Sequence, residues 1–240
     1  MQRGKSDQVD AHRIAQYAFK NSNRLRLWKP TRPQVQKLKA LLTLRDRLVR
    51  IGNQLEVPLK EGDEFMDAAI QKELRASSMS SIKALQKDIQ KVEQTINRLV
   101  SQDETLKKQF DLVTSVTGIG PIIAYNMIVT TNEFKSITEA KKYACYAGVA
   151  PFENTSGTSV KGKPRVSKLA NMDIKKLLYL GATSAIQHSQ EMKSYYERKV
   201  GEGKKKMSVI NAVRNKLISR AFACIRDQRP YEKIYKHSLA

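Results

Sequence analysis

The sequence predicts a mainly α-helical chain, with a long antiparallel coiled-coil hairpin followed by a compact helical domain that carries a helix-hairpin-helix. Three observations predict it. Apolar residues recur at heptad spacing in two runs, over 41–55 and 82–110. A glycine turn, Gly118-Ile119-Gly120, lies between two apolar helical segments. From about residue 111 onward the heptad seam is lost, and short helical patterns separated by glycine and proline take over.

Residues 1–30 form the first segment. Val9, Ile14 and Tyr17, with alanines between them, read as a short helix, and Pro30 and Pro33 break the chain after it. Asp7 and Asp10 are three apart, so on a helix they share a face. Two readings are open. Together they supply part of a Mg²⁺ site that water and substrate phosphate complete. Otherwise Asp7 caps the helix, where the helix dipole favours a carboxylate.

Residues 31–110 form the second segment. A helix starts near Gln34 with a seam of Leu41, Leu44, Leu48, Ile51 and Leu55, and Pro58 and Gly62 end it. Residues 59–79 are polar, and the Ser77–Ser81 cluster reads as the entry to the next helix. Ile82, Leu85, Ile89, Val92, Ile96, Leu99, Leu106 and Phe110 hold the second seam, interrupted at Asp103. Such seams pack on each other or on a second protomer. The expectation is a coiled-coil spacer that also makes a homo-oligomer; the alternative is part of a bundle core.

Residues 111–240 form the third segment. The turn within Val113–Pro121 suits glycine, which reaches positive φ and lets another surface come close. The amides that open the following helix suit a phosphate oxygen. It is either a DNA-backbone clamp through Gly118 and Gly120 or a plain turn between helices. A short helix over 138–147 ends at Gly148-Val149-Ala150-Pro151. A long polar loop follows, from Phe152 to Leu169, and then helices over Asp173–Gln187, Gln190–Val200 and Lys204–Arg226. In the loop, Ser156 stands beside Gly157 and close to cations. It is a candidate nucleophile toward a phosphodiester, or simply a turn residue. Lys161, Lys163, Arg165 and Lys168 read as a phosphate-binding patch, which Lys204–Lys206, Arg214, Lys216 and Arg220 extend.

Composition narrows the partner. Lys and Arg number 44 against 23 Asp and Glu, a formal net charge of +21, which favours a polyanion without choosing DNA over RNA. The two cysteines, Cys145 and Cys224, form no CxxC pair and sit in apolar helical runs, as free thiols do in a reducing cytoplasm. Three scattered histidines make no zinc site. No apolar run reaches membrane-span length, so no membrane partner is expected.

The order of these motifs resembles a known family. Lys5-Ser6-Asp7-x-x-Asp10-Ala11 is similar to a signature of the DEDD insertion-sequence transposases of the "one-ten" family, which are bridge-RNA-guided recombinases. Thr117-Gly118-Ile119-Gly120-Pro121, Tyr146–Pro151, Thr155-Ser156-Gly157 and Leu178-Tyr179-Leu180-Gly181-Ala182 follow in matching order, so the resemblance covers nearly the whole chain. It implies a RuvC-like (RNase H-like) domain, of which residues 1–30 are the C-terminal remnant, then the coiled coil, then a transposase domain. It implies DNA strand exchange, with Ser156 as the nucleophile and Asp7 and Asp10 as the last two of four Mg²⁺-binding acids. Its implied partners are DNA, a bridge-type guide RNA and further protomers in a dimer or tetramer. Its implied place is the bacterial or archaeal cytoplasm, at the nucleoid. Because the first two acids have no counterpart here, the expectation is an N-terminally truncated transposase with impaired turnover. The alternative is a non-enzymatic helix-hairpin-helix DNA-binding protein.

Overall fold

The computed structural model describes residues 6–24, 30–62, 66–156, 160–167 and 169–232. It divides into two compact units, residues 1–32 and 33–240. The first unit holds α1 (Asp7–Lys20), none of whose residues is buried. Its cap is Ser6, whose Oγ accepts from the Val9 amide at 3.3 Å. That corrects the reading of Asp7 as the cap: Asp7 is the first helical residue. Asp7 and Asp10 lie in the first turn and Lys20 in the last, an order the helix dipole favours.

The second unit begins with α2 (Pro33–Glu61) and α3 (Ala68–Gln102). Pro33 occupies the first helical position, where its missing N–H costs nothing. Pro58 does not end α2 as its sequence suggests; the helix runs through it to Glu61. Lying in the last turn, it removes a single interior hydrogen bond. Nor does the serine cluster start α3. Asp67 does so, its carboxylate accepting from the Ala69 amide at 2.8 Å, and Ser77–Ser81 lie inside the helix.

The two helices pack antiparallel. Arg45 Nε donates to Glu93 at 2.7 Å, Gln86 donates to Glu56 at 2.9 Å, and Arg75 donates to the Leu59 carbonyl at 3.3 Å. As numbers rise along α2 they fall along α3. The α3 seam is the one its sequence predicts: Ile82 and Ile96 are buried, and Leu85, Ile89, Val92 and Leu99 are half-buried. The α2 seam is so only in part. Leu41, Leu48 and Leu55 are half-buried and Leu41 packs on the core, but Leu44 and Ile51 are 41% and 39% exposed, and the less exposed face also takes in Leu38, Leu42, Arg45, Val49, Gly52, Glu56 and Leu59. The reason is the helix start. Val35, Leu38 and Leu42 enter the common core with Ile96 and Val100, which sets the rotation of the whole helix.

Asp103 ends α3 and caps α4 (Glu104–Thr114), accepting from the Leu106 amide at 2.9 Å. Leu106 and Phe110 therefore belong to the bundle rather than to the hairpin. The bundle adds α5 (Pro121–Thr130), α6 (Ala140–Tyr146), α7 (Met172–His188), α8 (Gln190–Gly201) and α9 (Lys206–Asp227). Its axis is α9, which packs on α4, α6, α7 and α8. Val213, Leu217, Ile218 and Ala221 on α9 are fully buried. Tyr125 ties α5 to α3: it stacks on Phe110 at 4.9 Å and donates to Asn97 at 2.8 Å. After α5, Asn132, Glu133 and Phe134 take left-handed φ values of 49, 59 and 59°. Thr131 holds this strained turn by accepting from the Phe134 amide at 2.9 Å, which sets Phe134 edge-on to Phe222.

The expected loop after Pro151 contains a β-hairpin. β1 (Phe152–Ser156) pairs antiparallel with β2 (Val160–Arg165). The register sets Asn154 opposite Gly162, Thr155 opposite Lys161 and Ser156 opposite Val160, with an irregularity between Phe152 and Asn154. A two-stranded ribbon tolerates Pro164, because each strand has a free edge.

The α2 rotation is testable with adjacent residues. Leu42→Ala should cost about 2–4 kcal/mol in urea unfolding, and Leu44→Ala less than about 1 kcal/mol. Equal losses would restore the seam predicted from sequence.

Candidate nucleic-acid interface

The turn between α4 and α5 buries its apolar residues. Val116 is 0% and Ile119 4% exposed. Its two glycines differ in what they face. Gly118 has φ +99°, and a Cβ there would stand 2.6 Å from both the Gly181 carbonyl oxygen and the Ala185 Cβ. In turn, a Cβ on Gly181 would stand 2.6 Å from the Gly118 carbonyl oxygen. The turn and α7 thus meet backbone to backbone. Gly120 is exposed, and nothing lies within 4 Å of where its Cβ would be. It is the N-cap of α5 with φ −83° and no side-chain cap. Internal packing does not demand glycine there, and the first-turn amides of Ile122 and Ile123 have no partner within the helix.

Both roots of the β1–β2 hairpin are held by asparagine. Asn211 of α9 donates to the Val149 carbonyl at 2.7 Å, just before β1. Beyond β2, Asn171 donates through its backbone to the Tyr146 carbonyl at 2.8 Å and through its side chain to the Tyr146 hydroxyl at 2.9 Å. The Asn171 side-chain oxygen also caps α7, accepting from Asp173 and Ile174 at 3.1 and 3.0 Å. Neither asparagine stood out in the sequence. An N-cap ahead of the helix at 173 was the available signal for Asn171; Asn211, mid-helix, offered none.

Ser156 is the last residue of β1, and Lys161, Lys163 and Arg165 occupy alternate positions of β2. Backbone alone is described for these four, and Lys168 lies outside the described residues. The second basic cluster divides. Lys204, Lys205 and Lys206 are exposed. Further along α9 the cations turn inward: Lys216 lies over the Tyr195 ring at 4.6 Å, and Arg220 lies over Tyr231 at 4.7 Å and pairs with Glu191. Arg214 is 6% exposed, over the Tyr179 ring at 4.9 Å, and burial pulls its pKa below the ordinary arginine value.

Asp7 and Asp10 are exposed on α1, and Asp10 pairs with Arg13 at 3.6 Å. Among the described residues, no three His, Cys, Asp or Glu side chains gather as a metal set would require. Two exposed carboxylates, one shared with an arginine, do not make a closed Mg²⁺ site. Cys145 and Cys224 are free, as expected, but only Cys224 is buried, and burial pushes its thiol up. That disfavours the thiolate a nucleophile needs.

Residues 110–197 match the family model described as Transposase IS116/IS110/IS902 family. That span begins in α4, includes the glycine turn and the hairpin, and ends in α8. The chain is 26% identical over 232 residues to the pilin gene-inverting protein of Moraxella bovis, which covers 96% of this chain and 69% of that protein. It is 29% identical over 156 residues to the insertion element IS110 uncharacterized 43.6 kDa protein of Streptomyces coelicolor, covering 65% of this chain and 37% of that one. It is 22% identical over 138 residues to the insertion element IS116 uncharacterized 44.8 kDa protein of Streptomyces clavuligerus, covering 55% and 34%. The similarity to the pilin gene-inverting protein spans nearly the whole chain, whereas the family model matches residues 110–197. Among the described residues, no helix is long and apolar enough to cross a membrane.

The two turn glycines should respond differently to one methyl group. Gly118→Ala meets both a left-handed φ and a backbone clash, so it should destabilise by more than about 2 kcal/mol in chemical denaturation. Gly120→Ala should stay within about 1 kcal/mol. A Gly118→Ala chain as stable as the parent would contradict the close packing on α7.

Proposed function

We propose that the chain is an insertion-sequence transposase that binds DNA mainly through its phosphates and exchanges strands with Ser156 as nucleophile. The observation that carries this reading is a coincidence of place. The segment similar to the transposase family, residues 110–197, holds the open face at Gly120 and the hairpin bearing Ser156, Lys161, Lys163 and Arg165. The net charge of +21 suits a polyanionic substrate.

In this reading the Ser156 oxygen forms a bond to a backbone phosphorus as the bond to one sugar oxygen breaks. The serine proton leaves, and the departing sugar oxygen gains one. The strand is then held as a phosphodiester to serine. A free sugar hydroxyl of another strand reverses the step and releases the serine, so the number of phosphodiester bonds is conserved. Cations on β2 would stabilise the charge that builds on the phosphoryl oxygens. The amides that open α5 would take a neighbouring phosphate and position the strand. The α2–α3 hairpin would join protomers into a dimer or tetramer, and a bridge-type guide RNA would select the DNA. Asp7 and Asp10 would contribute two ligands to a Mg²⁺ site that needs further donors.

Two measurements test the reading. Binding of duplex DNA should weaken steeply with salt, and replacing Lys161, Lys163 and Arg165 together with Ala should reduce the log–log salt slope by roughly two to three units. With insertion-end DNA and guide RNA, the chain should form a covalent protein–DNA adduct that Ser156→Ala abolishes. Mass spectrometry should place the phosphate on Ser156. An adduct on Ser159, Ser167 or a tyrosine would sink the assignment. Salt-sensitive binding with no adduct under any condition would leave a DNA-binding protein without this chemistry.

A further inference from the structure

The direction in which the β1–β2 hairpin leaves the bundle is decided at one peptide, Val149–Ala150. Its N–H donates to the Ala144 carbonyl of α6 at 3.1 Å, and its carbonyl accepts from Asn211 Nδ2 of α9 at 2.7 Å. The peptide is therefore gripped from both sides. Pro151 follows. Its ring fixes its own φ and restricts Ala150 before it, so little slack separates this peptide from Phe152, where β1 begins. Ser156 lies beyond Val149 by at most about 23 Å of extended chain, at about 3.3 Å per residue. Over that span a tilt of about 5° at the root moves Ser156 by about 2 Å. A misplacement of about 1 Å at a reacting group can cost roughly a hundredfold in rate.

The orientation of the Asn211 amide is fixed twice over. A guanidinium only donates and a carbonyl only accepts. Arg214 Nη1, about one turn further along α9, faces Asn211 Oδ1 at 3.4 Å, while the Val149 carbonyl takes Nδ2. Turning the amide over would set donor against donor and acceptor against acceptor. Arg214 is itself buried and lies over the Tyr179 ring of α7 at 4.9 Å. The same α7 carries at its N-cap Asn171, which holds the other root of the hairpin. Helix formation does not ask for this residue, because asparagine is a poor helix former in the interior of α9.

We propose that Asn211 is a positioning residue for strand exchange. It sets the place of Ser156 through the Val149–Ala150 peptide, and Arg214 locks its amide in the orientation that does so. This rests on the reading of Ser156 as nucleophile. Neither Asn211 nor Arg214 touches DNA in this role.

The test uses the full chain with insertion-end DNA and guide RNA. Asn211→Asp keeps the shape and the acceptor toward Arg214, but sets a second oxygen against the Val149 carbonyl. Asn211→Ala removes the tie without adding charge and favours the helix, so it should melt within about 5 °C of the parent. In both variants the rate of the covalent adduct at saturating DNA should fall roughly 10- to 100-fold. Duplex affinity should stay within about threefold, because no phosphate contact is lost. Hydrogen exchange read by mass spectrometry should quicken over residues 149–156 and stay unchanged in α7 and α9. A folded variant that forms the adduct at the parental rate overturns the proposal, and so does unchanged exchange over residues 149–156. A loss confined to DNA affinity, with a parental rate at saturation, overturns it too. If Asn211→Ala melts more than about 10 °C lower, the asparagine serves the fold as a whole and the proposal is again wrong. A parent chain that forms no adduct would instead bring down the reading of Ser156, and this assignment with it.

Discussion

Between the glycine turn and α7 there is room for backbone and for nothing else. Gly118 and Gly181 each occupy the space that the other's missing side chain would need. This contact sets how near α7 comes to the end of α4 and the start of α5. Ile123 and Leu217 close around Gly181, so the same spot joins α5, α7 and α9. Because α9 packs on four other helices, the position of α7 against the turn propagates to the whole bundle. A methyl group at either glycine forces a shift of main chain, which a close-packed interior absorbs poorly.

The candidate site inherits its geometry from that contact through polar anchors. The turn presents Gly120 outward because Gly118 is committed inward. The hairpin is tied to α9 by Asn211 and to α6 by Asn171, so its roots are fixed by side-chain hydrogen bonds to the Val149 carbonyl and the Tyr146 hydroxyl and by a backbone bond from Asn171 to the Tyr146 carbonyl. A ribbon of two strands is marginal alone. Anchoring both roots is what lets so short a ribbon hold a defined place on a helical domain.

Sequence patterns disclosed the elements that periodicity governs. The α3 seam, the turn at 118–120 and the three last helices lie where spacing and glycine put them. The α2 seam was misplaced because its true face includes Arg45, Gly52 and Glu56, which a count of apolar residues discards. Of the leucines at 41, 44 and 48, Leu41 and Leu48 stay half-buried, and the docking of Val35 and Leu38 into a distant core turns Leu44 outward. The hairpin was hidden because its residues are turn-formers and cations with a proline in the second strand. Its pairing is a long-range property of the anchored loop, with little strand propensity behind it. Asn171, Asn211 and the burial of Arg214 depend on contacts between residues far apart in the chain, which spacing alone does not encode.

Charge links these observations. With 44 cations and 23 acids, the chain cannot neutralise itself. Where carboxylates are available, the fold uses them on particular cations, as Glu93 on Arg45 and Glu191 on Arg220. Elsewhere on α9 it substitutes aromatic faces, Tyr195 under Lys216 and Tyr179 under Arg214. A half-buried lysine on a ring keeps part of its hydration. A buried guanidinium on a ring loses most of its hydration and regains a fraction of it. The same arrangement therefore means different things at the two positions. At Lys216 it is ordinary surface packing. At Arg214 it holds a buried charge in a fixed plane, tied through Asn211 to the root of the hairpin.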